Sequence, residues 1–326
     1  MNPSFAPSLA LVGDIGGTHA RFAIARLGGP RPELGEPVKL AHAGMAGPDA
    51  VVEAFLAQVG EARPAHIAVA VAGPVDGGAA RFTNLPWSLS EAALRQDGFE
   101  TAVLINDFEA MAWALPALSP DETVGIGADV PPESRAARLV LGPGTGFGAA
   151  VAAPCGAGFT AMATEPGHMG FAPTDEVELE LWRRLSADGR VTVESLVCGP
   201  GLKRLHRLLA EIEGRPPEPL EPTEITARAL AGSDPHAMAA AERFCALLGS
   251  VAGDLALATG ARGGVYLVGG MARGIEPLLL NGPFRRRFED KPPMHAYLAQ
   301  IPTRLVRRKH TALLGAALAL TERLKG

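Results

Sequence analysis

Twice in this chain an apolar strand pattern runs into a glycine-rich turn and returns as a second apolar strand. The first copy is Leu11-Val12-Gly13-Asp14-Ile15-Gly16-Gly17-Thr18-His19-Ala20-Arg21, followed by Phe22-Ala23-Ile24-Ala25. The second has a strand over 139–142, the turn Pro143-Gly144-Thr145-Gly146, and a returning strand over 147–153. Such turns expose successive backbone N–H groups to an anion, and an aspartate in one of them can hold a divalent cation beside it. A single loop of this form is explained by a β-hairpin turn. Two, each opening a stretch of alternating strand and helix, predict an α/β protein made of two like halves. Identity between the copies is slight, so the expected duplication is one of topology.

Other phosphate-binding loops are excluded by spacing. Aligning Gly142 and Gly144 with the first glycines of G-x-G-x-x-G puts Phe147 at the third, and the loop leads into a strand instead of a helix. No Gly-Lys-Ser/Thr occurs, which removes a Walker A loop.

At 326 residues the chain exceeds the usual size of one core, so two domains are expected. Hydrophobic residues at 47% and charged residues at 20% indicate a globular chain. Its apolar runs are broken by Gly and Pro well short of the roughly 20 residues of a membrane span, and no secretory signal is read at the N-terminus. Three cysteines without a Cys-x-x-Cys pair point to a reduced cytoplasm. The net charge of −5 argues against a nucleic-acid partner. The basic runs Arg285-Arg286-Arg287 and 304–309 are read as solvated surface, since no aromatic platform accompanies them.

Periodicity predicts strands at 10–13, 22–25, 37–42, 66–72, 101–105 and 264–268, besides those flanking the second turn. Helices are expected over 48–58, 107–118, 175–186, 200–213, 223–231, 235–259 and 311–325. Asn106-Asp107 then stands at the end of an apolar strand and the start of a helix, where α/β proteins hold ligands. A carboxylate there can accept the proton of an attacking hydroxyl, or it can simply cap the helix. Thr164-Glu165-Pro166-Gly167-His168 offers an acid and an imidazole around a turn, hydrogen-bonding groups suited to hydroxyls. Glu194 precedes Cys198-Gly199-Pro200-Gly201, and a single Glu at a helix start reads first as a helix-dipole partner.

Assembled in order, these pieces resemble the bacterial glucokinases of the proteobacterial type, in the sugar kinase, Hsp70 and actin superfamily. The resemblance runs nearly end to end. It takes in 13–21, Thr83-Asn84 with Trp87, 105–108, 142–148, Glu165 to His168 with Phe171-Ala172-Pro173, and Glu194. It continues through Gly199-Pro200-Gly201-Leu202, 264–270, 284–291 and Ile301-Pro302. It implies two duplicated ribonuclease-H-like domains, the actin-like ATPase fold, with a cleft between them. The smaller is expected over 1–118 plus 311–326 and the larger over 119–310.

The activity so implied is ATP-dependent phosphorylation of glucose at its 6-hydroxyl, in a cytoplasmic homodimer with no membrane or nucleic-acid partner. Asp107 would be the base. Asn84, Asn106, Asp107, Glu165, His168 and Glu194 would bind glucose. Gly13, Asp14, Gly16, Gly17, Thr18, Gly144, Thr145, Gly146, Gly269 and Gly270 would bind ATP, with Asp14 holding Mg²⁺ through water. The two acids, Asp14 and Asp107, are expected to converge from different sheet edges.

Two residues depart from the family pattern: His19 stands for Asn, and Pro166 for Gly. Alternatives within the same superfamily are a kinase for fructose, mannose or an N-acetylhexosamine, and a catalytically idle sugar sensor.

Overall fold

The computed structural model describes residues 7–17, 19–41, 44–60, 63–82 and 87–325. They fall into two compact units. One comprises Met1–Leu118, Gly158–Ala163 and Arg308–Gly326, the other Ser119–Ala157 and Thr164–Arg307.

The first unit begins with β1 (Ser8–Ile15), β2 (His19–Leu27), β3 (Glu33–Leu34), β4 (Val38–Ala41), α1 (Pro48–Val59) and β5 (His66–Val71). A small sheet of β6 (Val75–Asp76), β7 (Ala79–Arg81) and β8 (Ser88–Ser90) follows, then α2 (Glu91–Gln96), β9 (Thr101–Asn106) and α3 (Asp107–Ala114). The main sheet runs β3-β2-β1-β5-β9, with β4 also on β2. β1 and β2 are antiparallel, whereas β1, β5 and β9 are parallel.

Alternation along the strands divides the side chains between two cores. Leu11, Ile15, Ile67, Val69 and Val71 meet Val51, Val52 and Phe55 of α1 on one face. That helix starts with Pro48 at its first turn and stops at Gly60, whose φ of 65° supplies the left-handed cap. Ala10, Val12, Ala68 and Ala70 line the other face under Ala110 and the C-terminal helix.

The second unit contains β10 (Thr123–Gly125), β11 (Arg138–Pro143), β12 (Phe147–Cys155), β14 (Val265–Leu267) and β15 (Thr303–Val306); β13 (Gly158–Thr164) follows β12 in the chain. Its sheet order includes β10-β15-β14-β11-β12, with β11 antiparallel to β12 and β11, β14 and β15 parallel. Thus β2-β1-β5-β9 and β12-β11-β14-β15 share one order and one set of directions.

Helices α4 (Glu176–Ser186), α5 (Gly199–Ile212), α6 (Pro222–Leu230) and α7 (Pro235–Thr259) lie between the sheet strands in sequence. Short helices α8 (Gly270–Gly274), α9 (Glu276–Asn281), α10 (Phe284–Glu289) and α11 (His295–Ala299) precede β15, and α12 (Thr311–Lys325) closes the chain in the first unit. The core of the second unit surrounds α7, whose Phe244, Leu248, Val251 and Leu255 are all buried. No helix among the described residues is long and apolar enough to cross a membrane. Cys155, Cys198 and Cys245 are free thiols.

Several expectations are corrected. The helix expected over 107–118 ends at Ala114 and continues as a 3₁₀ turn, Leu115–Ala117, with Pro116 denying it an α-helical N–H. The basic runs are not simply solvated surface. Arg285 is buried, donating to the carbonyls of Leu298, Ala299 and Ile301 and pairing with Glu289. Arg287 pairs with the fully buried Glu178, and Arg304 belongs to β15. Paired guanidinium groups and their apolar stems are compatible with interior positions, which a count of charges does not reveal.

Candidate active site

Asp14 is the second-last residue of β1, directly across from Arg21 on β2. Their side chains form an ion pair at 3.9 Å, with Asp14 still about a quarter exposed (26%). Burial raises the Asp14 carboxyl above its ordinary range, and the Arg21 charge pulls it back. The turn beyond is closed by the Gly16 N–H donating to the His19 carbonyl at 3.0 Å. Gly17 is exposed at its tip, and Thr18 lies outside the described residues. Gly13 is buried for a packing reason: a Cβ there would lie 2.4 Å from the Phe22 ring.

Register puts Asp14 beside Ala70, and Ala70 beside Ile105 of β9. Two interstrand spacings and the step from Ile105 to Asp107 separate the two acids by roughly 12 Å between Cα atoms. They therefore share the carboxyl edge of one parallel sheet, with only β5 between them. This corrects the expectation of different edges: both strands run the same way, so both end on the same side.

Asn106 caps α3. Its Oδ1 accepts the Phe108 N–H at 2.9 Å and the Glu109 N–H at 3.2 Å, and its Nδ2 donates to the Gly73 carbonyl at 3.0 Å. Glu109 returns the capping bond to the Asn106 N–H, and burial raises its carboxyl pKa. With the cap supplied by Asn106, Asp107 stands in the first helical turn, half-buried, its Oδ1 accepting the Phe108 N–H at 3.0 Å. Asn84 lies outside the described residues.

The remaining groups assemble within the second unit. The Gly144 N–H donates to the Gly146 carbonyl at 2.8 Å, and the Gly144 carbonyl accepts the Gly199 N–H at the start of α5, also at 2.8 Å. Thr145 is exposed at the tip. Gly269, with a φ of 99°, lies two residues beyond β14 beside the turn, where a Cβ would come 3.4 Å from the Pro143 carbonyl; Gly270 starts α8.

Thr164 donates to the Ala149 carbonyl at 2.7 Å, and a 3₁₀ turn over Pro166–His168 follows with Glu165 as its cap. Pro166 occupies the first position of this turn, where a helical N–H has no partner to lose. Glu165 and His168 are both exposed. The Val193 N–H donating to the Met169 carbonyl at 2.9 Å lays this turn against the 3₁₀ turn Val193–Ser195.

Glu194 sits in that second turn, but its carboxylate does not cap it. Oε2 accepts the Phe147 N–H at 2.9 Å, just after the glycine turn. A cavity of about 360 Å³ beside it is lined by Thr145, Arg190, Glu194, Ser195, Cys198 and Arg204. Cys198 caps α5, its Sγ accepting the Gly201 N–H at 3.2 Å and donating to the Glu194 carbonyl at 3.0 Å. Burial pushes the Cys198 thiol pKa up, which keeps the proton it donates.

Sequence reasoning missed Arg21, Cys198 and His310. A hairpin closed between Gly16 and His19 would have revealed the pairing of Arg21 with Asp14. His310 holds a φ of 57° before α12, and burial followed by the Arg21 charge lowers its imidazole pKa.

The sequence matches the Glucokinase family model over residues 11–323. It is 48% identical to a glucokinase of Caulobacter sp. (strain K31) over 315 residues, covering 96% of this chain and 95% of that one. A crystal structure of a glucokinase from an Antarctic psychrotroph has a TM-score of 0.88 at 32% identity, over 97% of this chain and 99% of that one. A ROK family glucokinase from Streptomyces griseus, solved with glucose and AMPPNP, shares the fold with a TM-score of 0.63 at 19% identity, over 97% and 99% of the two chains. With a match from the first glycine turn to the last helix, this chain belongs to the glucokinase family.

Proposed function

We propose that this protein transfers the γ-phosphoryl group of ATP to the 6-hydroxyl of D-glucose, giving glucose 6-phosphate and ADP. The observation that carries this reading is the shared carboxyl edge of β1, β5 and β9, with Asp14 and Asp107 one strand apart. A metal-bound phosphoryl group flanked by two carboxylate side chains is of the right size to span such a gap. Membership of a family whose relatives are named glucokinase supports it independently.

In this reading the glucose O6 forms a bond to the γ-phosphorus while the bond from phosphorus to the β,γ-bridging oxygen breaks. A primary hydroxyl is far too weak an acid to ionise beforehand, so Asp107 orients it and receives its proton late. Asn106 fixes the position of Asp107, Glu165, His168 and Glu194 take sugar hydroxyls, and Gly16, Gly17 and the Gly144–Gly146 turn approach the phosphates through backbone N–H groups.

Among the described residues no three His, Cys, Asp or Glu side chains gather as a metal cage. The partly exposed Asp14 alone fits a Mg²⁺ that keeps most of its waters and takes its other ligands from phosphate. Bound there, the ion would neutralise charge on the β- and γ-phosphates.

The matching strand orders of the two sheets support a duplicated ribonuclease-H-like architecture. The resemblance extends the proposal to a cytoplasmic homodimer, for which light scattering should give about twice the 33.8 kDa of one chain. A coupled assay with glucose, mannose, fructose and N-acetylglucosamine, each with ATP and Mg²⁺, tests the activity. Glucose should give the highest kcat/KM. A higher value for another sugar, or no transfer to any, would overturn the assignment.

A further inference from the structure

We infer that Glu194 is a positioning residue for the nucleotide turn as well as a sugar ligand, so that displacement of its carboxylate on one side is felt on the other. This rests on the reading above, in which the Gly144–Gly146 turn meets phosphates and the Glu165–His168 turn meets sugar.

The geometry is that of one carboxylate shared by two loops. Oε2 takes the Phe147 N–H at 2.9 Å and thereby sets the exit of the glycine turn. Both loops press on the same group. A Cβ at Gly146 would lie 2.5 Å from Oε2, and one at Gly167, between Glu165 and His168, would lie 3.0 Å from it. Glycine at 146 lets the nucleotide turn close on the carboxylate, and glycine at 167 keeps the second turn against it and against the Phe147 carbonyl, which a Cβ there would approach to 2.6 Å.

The backbone of Glu194 is held as firmly. Its carbonyl accepts the Cys198 thiol at 3.0 Å, and the next residue, Gly199, donates to the Gly144 carbonyl at 2.8 Å. The glycine turn is therefore gripped from both ends, by the Glu194 side chain at Phe147 and by the α5 start at Gly144. A sugar hydroxyl that draws on the carboxylate weakens the acceptor to which the Phe147 N–H donates. Coupling of this kind is reciprocal in binding free energy, which makes it testable from either side.

Two variants and two separate ligands form the test, with binding measured by isothermal titration calorimetry and folding checked by circular dichroism and a thermal melt. Glu194→Gln keeps the shape and an acceptor but removes the charge. It should weaken Mg·AMPPNP binding about three- to tenfold in the complete absence of sugar, the loss expected when a charge-assisted hydrogen bond becomes a neutral one. Gly146→Ala forces the carboxylate aside from within the nucleotide turn. It should weaken glucose binding by a similar factor with no nucleotide present, a readout that a role confined to the nucleotide turn would not move. Should Glu194→Gln fail to fold, Gly146→Ala decides the matter alone.

Unchanged AMPPNP affinity in a folded Glu194→Gln protein with weakened glucose binding would overturn the link and leave the glucokinase reading intact. Unchanged glucose affinity in Gly146→Ala would likewise overturn it. A wild-type protein that binds AMPPNP but no glucose would instead remove the reading on which the link rests.

Discussion

Asp107→Asn separates chemistry from architecture, because the structure bounds what the substitution can do to the fold. The side chain opens α3 and accepts the Phe108 N–H at 3.0 Å, a bond an amide oxygen can also make. Asn106 already caps the helix, holding the Phe108 and Glu109 N–H groups at 2.9 and 3.2 Å. What is lost structurally is one negative charge at a helix N-terminus, about 0.3–1 kcal/mol. Loss of a general base costs about 10²–10⁴ in rate, which at about 1.4 kcal/mol per decade is roughly 3–5 kcal/mol of barrier. The chemical effect should therefore exceed the structural one several-fold. In a coupled assay for glucose 6-phosphate, kcat should fall at least about 100-fold while the KM for glucose stays within a few-fold. The melting temperature should drop by no more than about 4 °C. A kcat within about threefold of wild type would remove Asp107 from the base role, since proton acceptance contributes about 100-fold or more. A large kcat loss accompanied by a melting shift well beyond that bound would show that the helix start, not the proton, had been damaged.

The packing of α12 on α3 leaves no room at Gly315, where a Cβ would fall 1.6 Å from the Ala110 carbonyl oxygen. Gly315→Ala should cost about 1–3 kcal/mol or more, seen as a lower urea midpoint with an unchanged slope, and a neutral result would refute that close approach. His206 is buried against His236, ring centroids 4.6 Å apart, and burial first and the His236 charge second hold its imidazole below the ordinary range. The unfolded chain thus binds the proton more readily. The stability due to neutral His206 is present above about pH 6.5 and is lost as pH falls toward the lowered folded value, with a slope of up to about 1.4 kcal/mol per pH unit. Urea titrations at pH 7.5 and 5.5 should show this loss in the wild type and a smaller one in His206→Gln; equal losses would clear His206 of the effect.

Read from the amino-acid order alone, the two glycine turns, the Asn106-Asp107 strand end and the long α7 were legible because each depends on neighbours within a few residues. Turn geometry, alternation and helical periodicity are local, and so were the α/β class and the repeated hairpin. What Glu194 does was not legible: its partner, the Phe147 N–H, lies 47 residues away, and at the level of sequence it passed for a dipole partner of its own turn. Arg285 passed for surface charge because the carbonyls that surround it come from residues 298–301, beyond any local window.

The short strands β6, β7, β8 and β10 were missed because two or three residues carry too little periodicity to announce a strand; pairing makes them strands, among near neighbours for β6, β7 and β8 and with the far-off β15 for β10. The two acids show the division most clearly. Their residue types and their places at strand ends are properties of the chain order. Their common edge was decided by the parallel registers of β1, β5 and β9, since direction and register are settled only when separate segments meet in a sheet.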